Sequence, residues 1–168
     1  MESSRYGLLI DIERCTGCRL CQIACAMQHF GRPDPRLARV QVIQFKDPEL
    51  NVPVICMACD NAPCTKVCPV NARIREINNS VVTDEDRCIG CGACIYICPV
   101  GSPGRNPVTG MTMTCDMCQE TGSEPWCVVA CRDEKALTLC GSGGSASTKN
   151  RRHATKILSG NITRNNSV

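Results

Sequence analysis

Sixteen of the seventeen cysteines in this 168-residue chain fall into four groups of four, which we number as quartets one to four. The quartets are Cys15, Cys18, Cys21 and Cys25; Cys56, Cys59, Cys64 and Cys68; Cys88, Cys91, Cys94 and Cys98; and Cys115, Cys118, Cys127 and Cys131. Quartets one and three are spaced C-x2-C-x2-C-x3-C, whereas quartets two and four have a longer gap before their third cysteine. An internal repeat of this kind defines the structural unit of the chain.

The spacing predicts iron–sulfur clusters with these sixteen cysteines as iron ligands. In the bacterial run C-x2-C-x2-C-x3-C-P, three cysteines bind one [4Fe–4S] cluster and the fourth binds the other cluster of a pair. Quartets two and three are each followed by the expected proline, Pro69 and Pro99. Because the exchange of fourth ligands requires paired quartets, the repeat predicts four [4Fe–4S] clusters.

Disulfides and zinc are the alternative explanations for so many cysteines. A disulfide framework favours an even count and a secretory leader. Here the count is odd, and Met1–Cys15 has no basic region followed by an apolar one. Zinc sites of four cysteines use two C-x2-C pairs separated by about a dozen residues or more, unlike quartets one and three. His29 is expected on the surface or beside a ligand, not as a ligand.

The charge is unevenly distributed along the chain. The formal net charge is +3, but residues 141–168 contain five basic side chains and no acidic one. The preceding residues therefore carry 14 basic and 16 acidic side chains, before the negative charge of any cluster is added. An acidic body with a basic tail argues against nucleic-acid binding by the body.

Two further classes of function are disfavoured by absent patterns. No apolar stretch approaches the roughly 20 residues of a membrane-spanning helix, so we expect no membrane span. Because the cysteine pattern argues against disulfides, we expect a reducing, cytoplasmic location. The sequence has no G-x-G-x-x-G, P-loop or H-E-x-x-H motif and no convincing nucleophile–base pair. We therefore expect no catalytic residues of its own.

Secondary structure is expected to be short and organised around the quartets. Strands are predicted before three quartets and near residues 39–45, and a hairpin with its turn at residues 78–80 is predicted between quartets two and three. A short helix is expected after the third cysteine of each quartet, for example at residues 95–97. The predicted fold class is a small α+β fold.

Quartets two and three, with the 19 residues between them, resemble an uninterrupted bacterial dicluster ferredoxin. The resemblance implies that the fourth cysteines are exchanged between the two quartets. One cluster would be bound by Cys56, Cys59, Cys64 and Cys98, and the next by Cys88, Cys91, Cys94 and Cys68. By the same exchange, the expected outer sets are Cys15, Cys18, Cys21 and Cys131, and Cys115, Cys118, Cys127 and Cys25.

The nested order of quartets resembles the four-cluster iron–sulfur subunits of the dimethyl-sulfoxide-reductase family, in which C-D-x-C opens the last quartet as Cys115–Cys118 does here. This resemblance implies a tandem ferredoxin-like fold of two pseudo-symmetric dicluster units with long loops. The outer unit would comprise residues 1–50 and 101–140, the inner unit residues 51–100, and residues 141–168 would form a basic tail. In size the chain is most similar to the small ferredoxin-like subunits of tungsten-dependent aldehyde oxidoreductases.

The resemblance implies a subunit that relays single electrons between a large tungsten- or molybdenum-pterin catalytic subunit and a further acceptor. A flavin subunit or another electron acceptor is compatible as a further partner. Self-association by stacking of copies of this chain is compatible as well. A free soluble polyferredoxin, or an electron carrier for formate dehydrogenase or hydrogenase, is the alternative. A redox sensor that uses the remaining Cys140 is a third hypothesis.

Overall fold

The computed structural model describes residues 7–46, 49–76, 80–118, 121 and 124–140. These residues form short helices and strands of a small α+β fold. The helices are α1 Leu20–Phe30, α2 Pro63–Lys66, α3 Ala93–Tyr96 and α4 Trp126–Ala130. The strands are β1 Gly7–Ile10, β2 Gln41–Lys46, β3 Glu49–Val54, β4 Arg73–Arg75, β5 Val81–Thr83, β6 Gly104–Arg105, β7 Thr112–Met113 and β8 Leu137–Cys140. The predicted basic tail, residues 141–168, lies outside the described residues.

Within the described residues, the strands pair as four two-stranded antiparallel sheets: β1–β8, β2–β3, β4–β5 and β6–β7. In β1–β8, Leu8 lies opposite Leu139, which brings the residues before quartet one beside those after quartet four. In β4–β5, Arg73 lies opposite Thr83, which joins the end of quartet two to the start of quartet three. Two of the sheets therefore connect different quartets.

The elements near the quartets lie where the sequence predicted them, with two differences. The predicted helices begin before the third cysteine of their quartet and not after it, because Pro63 and Gly92 precede that cysteine and start the turn. The strand predicted near residues 39–45 is β2, and it pairs along its whole length with β3 as a hairpin that the sequence did not indicate. Of the predicted turn at residues 78–80, only Ser80 is described.

Cysteines of the quartets are buried in the core together with aliphatic residues. The larger buried cluster combines aliphatic residues such as Leu8, Val40 and Ile55 with Cys21, Cys25, Cys115 and Cys127. The smaller one consists of Ala62, Cys64, Val81 and Cys94. With five aromatic residues in the whole sequence, the chain has few large side chains with which to fill a core.

None of the described helices could cross a lipid bilayer, since none is long and apolar enough. The longest is α1, with 11 residues.

Candidate metal centres

The structure brings the sixteen quartet cysteines together in four groups, which we call sites I to IV. Site I contains Cys15, Cys18, Cys21 and Cys131, and site II contains Cys25, Cys115, Cys118 and Cys127. Site III contains Cys56, Cys59, Cys64 and Cys98, and site IV contains Cys68, Cys88, Cys91 and Cys94. Each group consists of three cysteines of one quartet and the fourth cysteine of another.

At sites I, III and IV the four thiols line one cavity. At site II, Cys25, Cys115 and Cys127 lie in one buried cluster, and burial followed by the charges of Asp116 and Cys25 raises the pKa of Cys118 to about 12. The sixteen described cysteines of these sites are free thiols. The groups are the sets expected from the exchange of fourth ligands between quartets.

A left-handed residue follows the first cysteine of each quartet by two positions. These residues are Gly17, Ala58, Gly90 and Met117, with φ of 74°, 44°, 66° and 63°. Burial raises the pKa of the first cysteine in quartets one, two and four, and a hydrogen bond from the backbone N–H of the left-handed residue acts in the opposite direction on each. In these three quartets the turn aims a donor at a sulfur, which is an arrangement that stabilises a thiolate bound to metal.

The β2–β3 hairpin and the β6–β7 region support two of these turns from outside. Asn51 Nδ2 donates to the carbonyl oxygen of Cys15 at 3.3 Å, and Gln44 Oε1 accepts from Arg19 at 2.8 Å. At site IV, Arg105 Nη1 donates to the carbonyl oxygens of Gly90 and Gly110 at 2.7 and 2.9 Å. Sequence reasoning missed these contacts, because the residues are distant along the chain and belong to no motif.

Substitution Gly90→Ala is expected to remove the metal content of site IV, about four irons per chain. A Cβ at Gly90 would lie 2.9 Å from the carbonyl oxygen of Gly110, and its φ of +66° disfavours any L side chain. The turn that holds Cys88 and Cys91 would therefore have to shift. Iron analysis and low-temperature EPR of the anaerobically purified variant measure the loss.

Gly31→Ala is the matched control for this substitution. Gly31 has a φ of +63°, but a Cβ there meets nothing within 4 Å. Both variants carry a similar backbone strain, and only Gly90→Ala adds the collision. Equal iron content in the two variants would show that the close approach at Gly90 is not required.

Burial and the gathering of thiols raise most of the pKa values that depart from the ordinary range. Burial, and next the charge of Cys131, raise the pKa of Cys21 to about 12. Burial also raises the pKa of Cys56 to about 11 and that of Cys115 well above its usual value. Because metal ligands must be deprotonated, iron binding at these positions has to displace protons.

Cys68 of site IV is the opposite case. Burial raises its pKa, but the backbone N–H groups of Val70, Ala72 and Arg73 together outweigh that effect and hold the pKa below the ordinary value. The N–H of Ala72 donates to Cys68 Sγ at 3.2 Å. The loop after quartet two therefore stabilises a thiolate at this position.

A buried group of polar side chains adjoins site II. Asp116 Oδ2 lies 2.7 Å from Arg39 Nη1, and Asp116 Oδ1 accepts from the N–H of Cys118 at 3.1 Å. The ring nitrogen Nε2 of His29 is 3.5 Å from Asp116 Oδ1 and 3.6 Å from Cys118 Sγ. The side chains of His29 and Asp116 are 7% and 6% exposed, so His29 lies beside a ligand and not on the surface.

Buried donors without a partner face site III. Arg73 Nε and Nη2, Ser102 Oγ and Thr114 Oγ1 are buried and make no hydrogen bond among the described residues. All three side chains line the cavity with Cys56, Cys59, Cys64 and Cys98. Buried polar groups are normally satisfied, and four thiolates with surrounding donors suit an anionic iron–sulfur cluster. The residues of this cavity therefore fit such a cluster.

The four sites follow one another as I–II–III–IV. Cys21 of site I and Cys127 of site II lie in one buried cluster, and Cys56 of site III packs against it. Arg73 lines the cavities of both site III and site IV. The exposed cysteines among the sixteen are Cys18 of site I and Cys91 of site IV, at the two ends of the series.

Comparison with known protein families gives two matches. A family described as "4Fe-4S dicluster domain" matches residues 49–139, and one described as "4Fe-4S binding domain" matches residues 12–28. The first match covers more than half of the chain, including quartets two, three and four. Residues 12–28 include the whole of quartet one.

Three curated relatives cover about three quarters of the chain. The polyferredoxin-like subunit of aliphatic sulfonate oxidoreductase from Pyrococcus furiosus is 38% identical over 77% of this chain and 73% of its own length. The thiosulfate reductase electron transfer subunit from Salmonella typhi is 37% identical over 77% and 72%. The B subunit of anaerobic dimethyl sulfoxide reductase from Escherichia coli is 33% identical over 77% and 70%.

Among solved structures, the BamBC active site complex of benzoyl coenzyme A reductase with zinc contains a polypeptide of similar fold. It matches with a TM-score of 0.50 and 21% identity over 99% of this chain and 94% of that polypeptide. At this identity the likeness concerns the fold alone.

Proposed function

This protein belongs to the family of 4Fe–4S dicluster proteins, and on that premise we propose that it is the electron-transfer subunit of an oxidoreductase complex. Sites I to IV each hold one [4Fe–4S] cluster, with the sixteen cysteines as ligands. Single electrons pass along the series of clusters between a catalytic subunit and a further acceptor. The proposal agrees with the names of the relatives, which are electron-transfer or polyferredoxin-like subunits of a reductase and an oxidoreductase.

The observation that carries the proposal is the succession of four thiol sites with exposed cysteines at its two ends. An electron carrier needs one cofactor near each partner and a path between them. Cys18 and Cys91 are exposed, whereas all four cysteines of site II are buried. Electrons would therefore enter and leave through sites I and IV, and sites II and III would connect them.

When bound, each cluster supplies the exchange of one electron at a potential set by hydrogen bonds, charge and burial. The chain's own residues supply those three conditions. Backbone donors such as those of Gly17 and Ala58 point to sulfurs, and Arg105 holds the turn at Gly90. Apolar core residues such as Ile55 and Val128 exclude water beside the buried thiols.

The partner in this proposal is a large pterin-dependent subunit that contains tungsten or molybdenum, of the aldehyde oxidoreductase kind. Support for it comes from the nested quartets, which resemble those of the iron–sulfur subunits of such enzymes. The final acceptor is a flavin subunit or another redox protein. Stacking of copies, with the basic tail against the acidic body, would extend the path of the electrons.

Anaerobic affinity purification of the native protein tests this proposal. We expect about sixteen irons per chain, four for each cluster, and a larger co-purifying subunit with tungsten or molybdenum. Elemental analysis of the eluate measures both, and the second metal distinguishes the two branches of enzyme. A full complement of iron with no partner and no second metal at any salt concentration would indicate a free polyferredoxin instead.

A further inference from the structure

Arg73 is a buried positively charged residue beside sites III and IV. It lies on β4 and is 5% exposed. Its Nη1 donates to Thr83 Oγ1 on the neighbouring strand, while Nε and Nη2 are buried and have no hydrogen-bond partner among the described residues. An arginine cannot lose its proton inside a protein, so the guanidinium is charged where it lies.

The guanidinium lies between two of the thiol sites. Arg73 lines the cavity of Cys56, Cys59, Cys64 and Cys98 and also that of Cys68, Cys88, Cys91 and Cys94. These two cavities hold all eight cysteines of sites III and IV. A single buried cation therefore borders the ligands of two sites.

Arg39, beside site II, shows how this chain neutralises an arginine that is only partly buried. Its guanidinium forms an ion pair with the buried carboxylate of Asp116 at 2.7 Å. Among the described residues, no carboxylate lies within ion-pair distance of Arg73. A buried charge without a counter-charge is strongly unfavourable, so the compensation for Arg73 has to come from the two sites that it lines.

We propose that Arg73 is a tuning residue shared by the clusters of sites III and IV, donating hydrogen bonds to both and raising the reduction potential of both. This inference rests on the proposed clusters. Reduction adds one electron, from a neighbouring cluster or an added reductant such as dithionite, and makes the cluster more negative. A fixed positive charge and N–H donors favour that state. Because the guanidinium stays protonated, the step moves no proton to or from Arg73.

The test is an anaerobic EPR-monitored redox titration of the full chain with Arg73→Gln, in the complex in which it purifies. We expect two of the four clusters to become harder to reduce, each by at least a tenfold fall in the equilibrium constant, about 59 mV for a one-electron couple. The other two clusters should keep their potentials. A variant with all four potentials unchanged, or with one shifted, would overturn the shared role.

Two further variants separate tuning from folding and from total charge. Arg73→Lys keeps the positive charge but has fewer N–H donors, so the same two reduction potentials should fall by less than in Arg73→Gln. If Arg73→Gln loses iron, Arg73→Lys becomes the test. Reduction potentials equal to those of the wild type in Arg73→Lys would then overturn the inference. Arg36→Gln removes a positive charge that is 77% exposed and paired with Asp34, and should change none of the potentials. The iron content of the wild-type protein distinguishes a failure of this inference from a failure of the proposed function. Too few irons for four clusters would contradict the proposed function itself, whereas unchanged potentials in a fully loaded variant contradict only the role of Arg73.

Discussion

Removal of iron is expected to unfold this chain rather than to leave a folded apoprotein. Of the 22 buried apolar residues in the described part of the chain, 7 are cysteines of the four sites. The remaining elements have little stability of their own, because α2 and α3 have four residues each and each sheet of the described residues has two strands. Binding free energy at such sites is folding free energy, as in other small metal-dependent domains.

Anaerobic chelation with far-UV circular dichroism and a thermal scan measures this effect. We expect most of the ordered signal and the cooperative thermal transition to disappear together with the iron. Restoring iron and sulfide under reducing conditions should recover both, which controls for chemical damage to the thiols. A cooperative transition that persists in the iron-free chain would contradict the prediction and would mean that the aliphatic core suffices.

Exchange of ligands between quartets predicts that Cys68→Ala and Cys91→Ala abolish the same cluster. Cys68 belongs to quartet two, yet it lines the cavity of site IV with Cys88, Cys91 and Cys94. Removal of either thiol leaves one iron of that cluster without its protein ligand. We expect each variant to lose up to about four irons, or to show an altered EPR signal from one cluster while the other three persist.

The matched pair at site III is Cys98→Ala and Cys59→Ala. Cys98 belongs to quartet three but lines the cavity of Cys56, Cys59 and Cys64. These two variants should lose a second signal, distinct from that lost with Cys68. Cys140→Ala, outside the quartets, should keep all the iron. If Cys68→Ala and Cys59→Ala removed the same signal, each quartet would instead bind its own cluster.

The spacing of cysteines allowed much of the local structure to be predicted. In a cluster-binding loop, ligand cysteines are separated by two residues, so C-x2-C predicts the ligands. In the structure this loop makes a tight turn, with Gly17 and Gly90 at its left-handed position. Ala58 and Met117 occupy it as well, although neither residue type signals a positive φ, because the convergence of the thiols outweighs local preference.

Tertiary contacts that join distant segments were not predictable from spacing. Pairing of β2 with β3 brings Gln44 and Asn51 to the turn of quartet one, about 30 residues away in sequence. His29, near the end of α1, lies beside Cys118 of quartet four, which is 89 residues later in the sequence. Such contacts depend on the packing of whole elements and leave no short-range pattern.

By itself, the sequence determined which sixteen cysteines are candidate ligands and that the fold would be small and α+β, and its resemblance to dicluster ferredoxins implied how the cysteines would be grouped. The candidate ligands follow from short-range spacing and from the need of each cluster for four thiolates. Only the tertiary structure decided the order of the sites, the exposure of Cys18 and Cys91 at its ends, and the burial of Arg73 between sites III and IV. These depend on distances between segments far apart in the chain, which the sequence pattern does not encode locally.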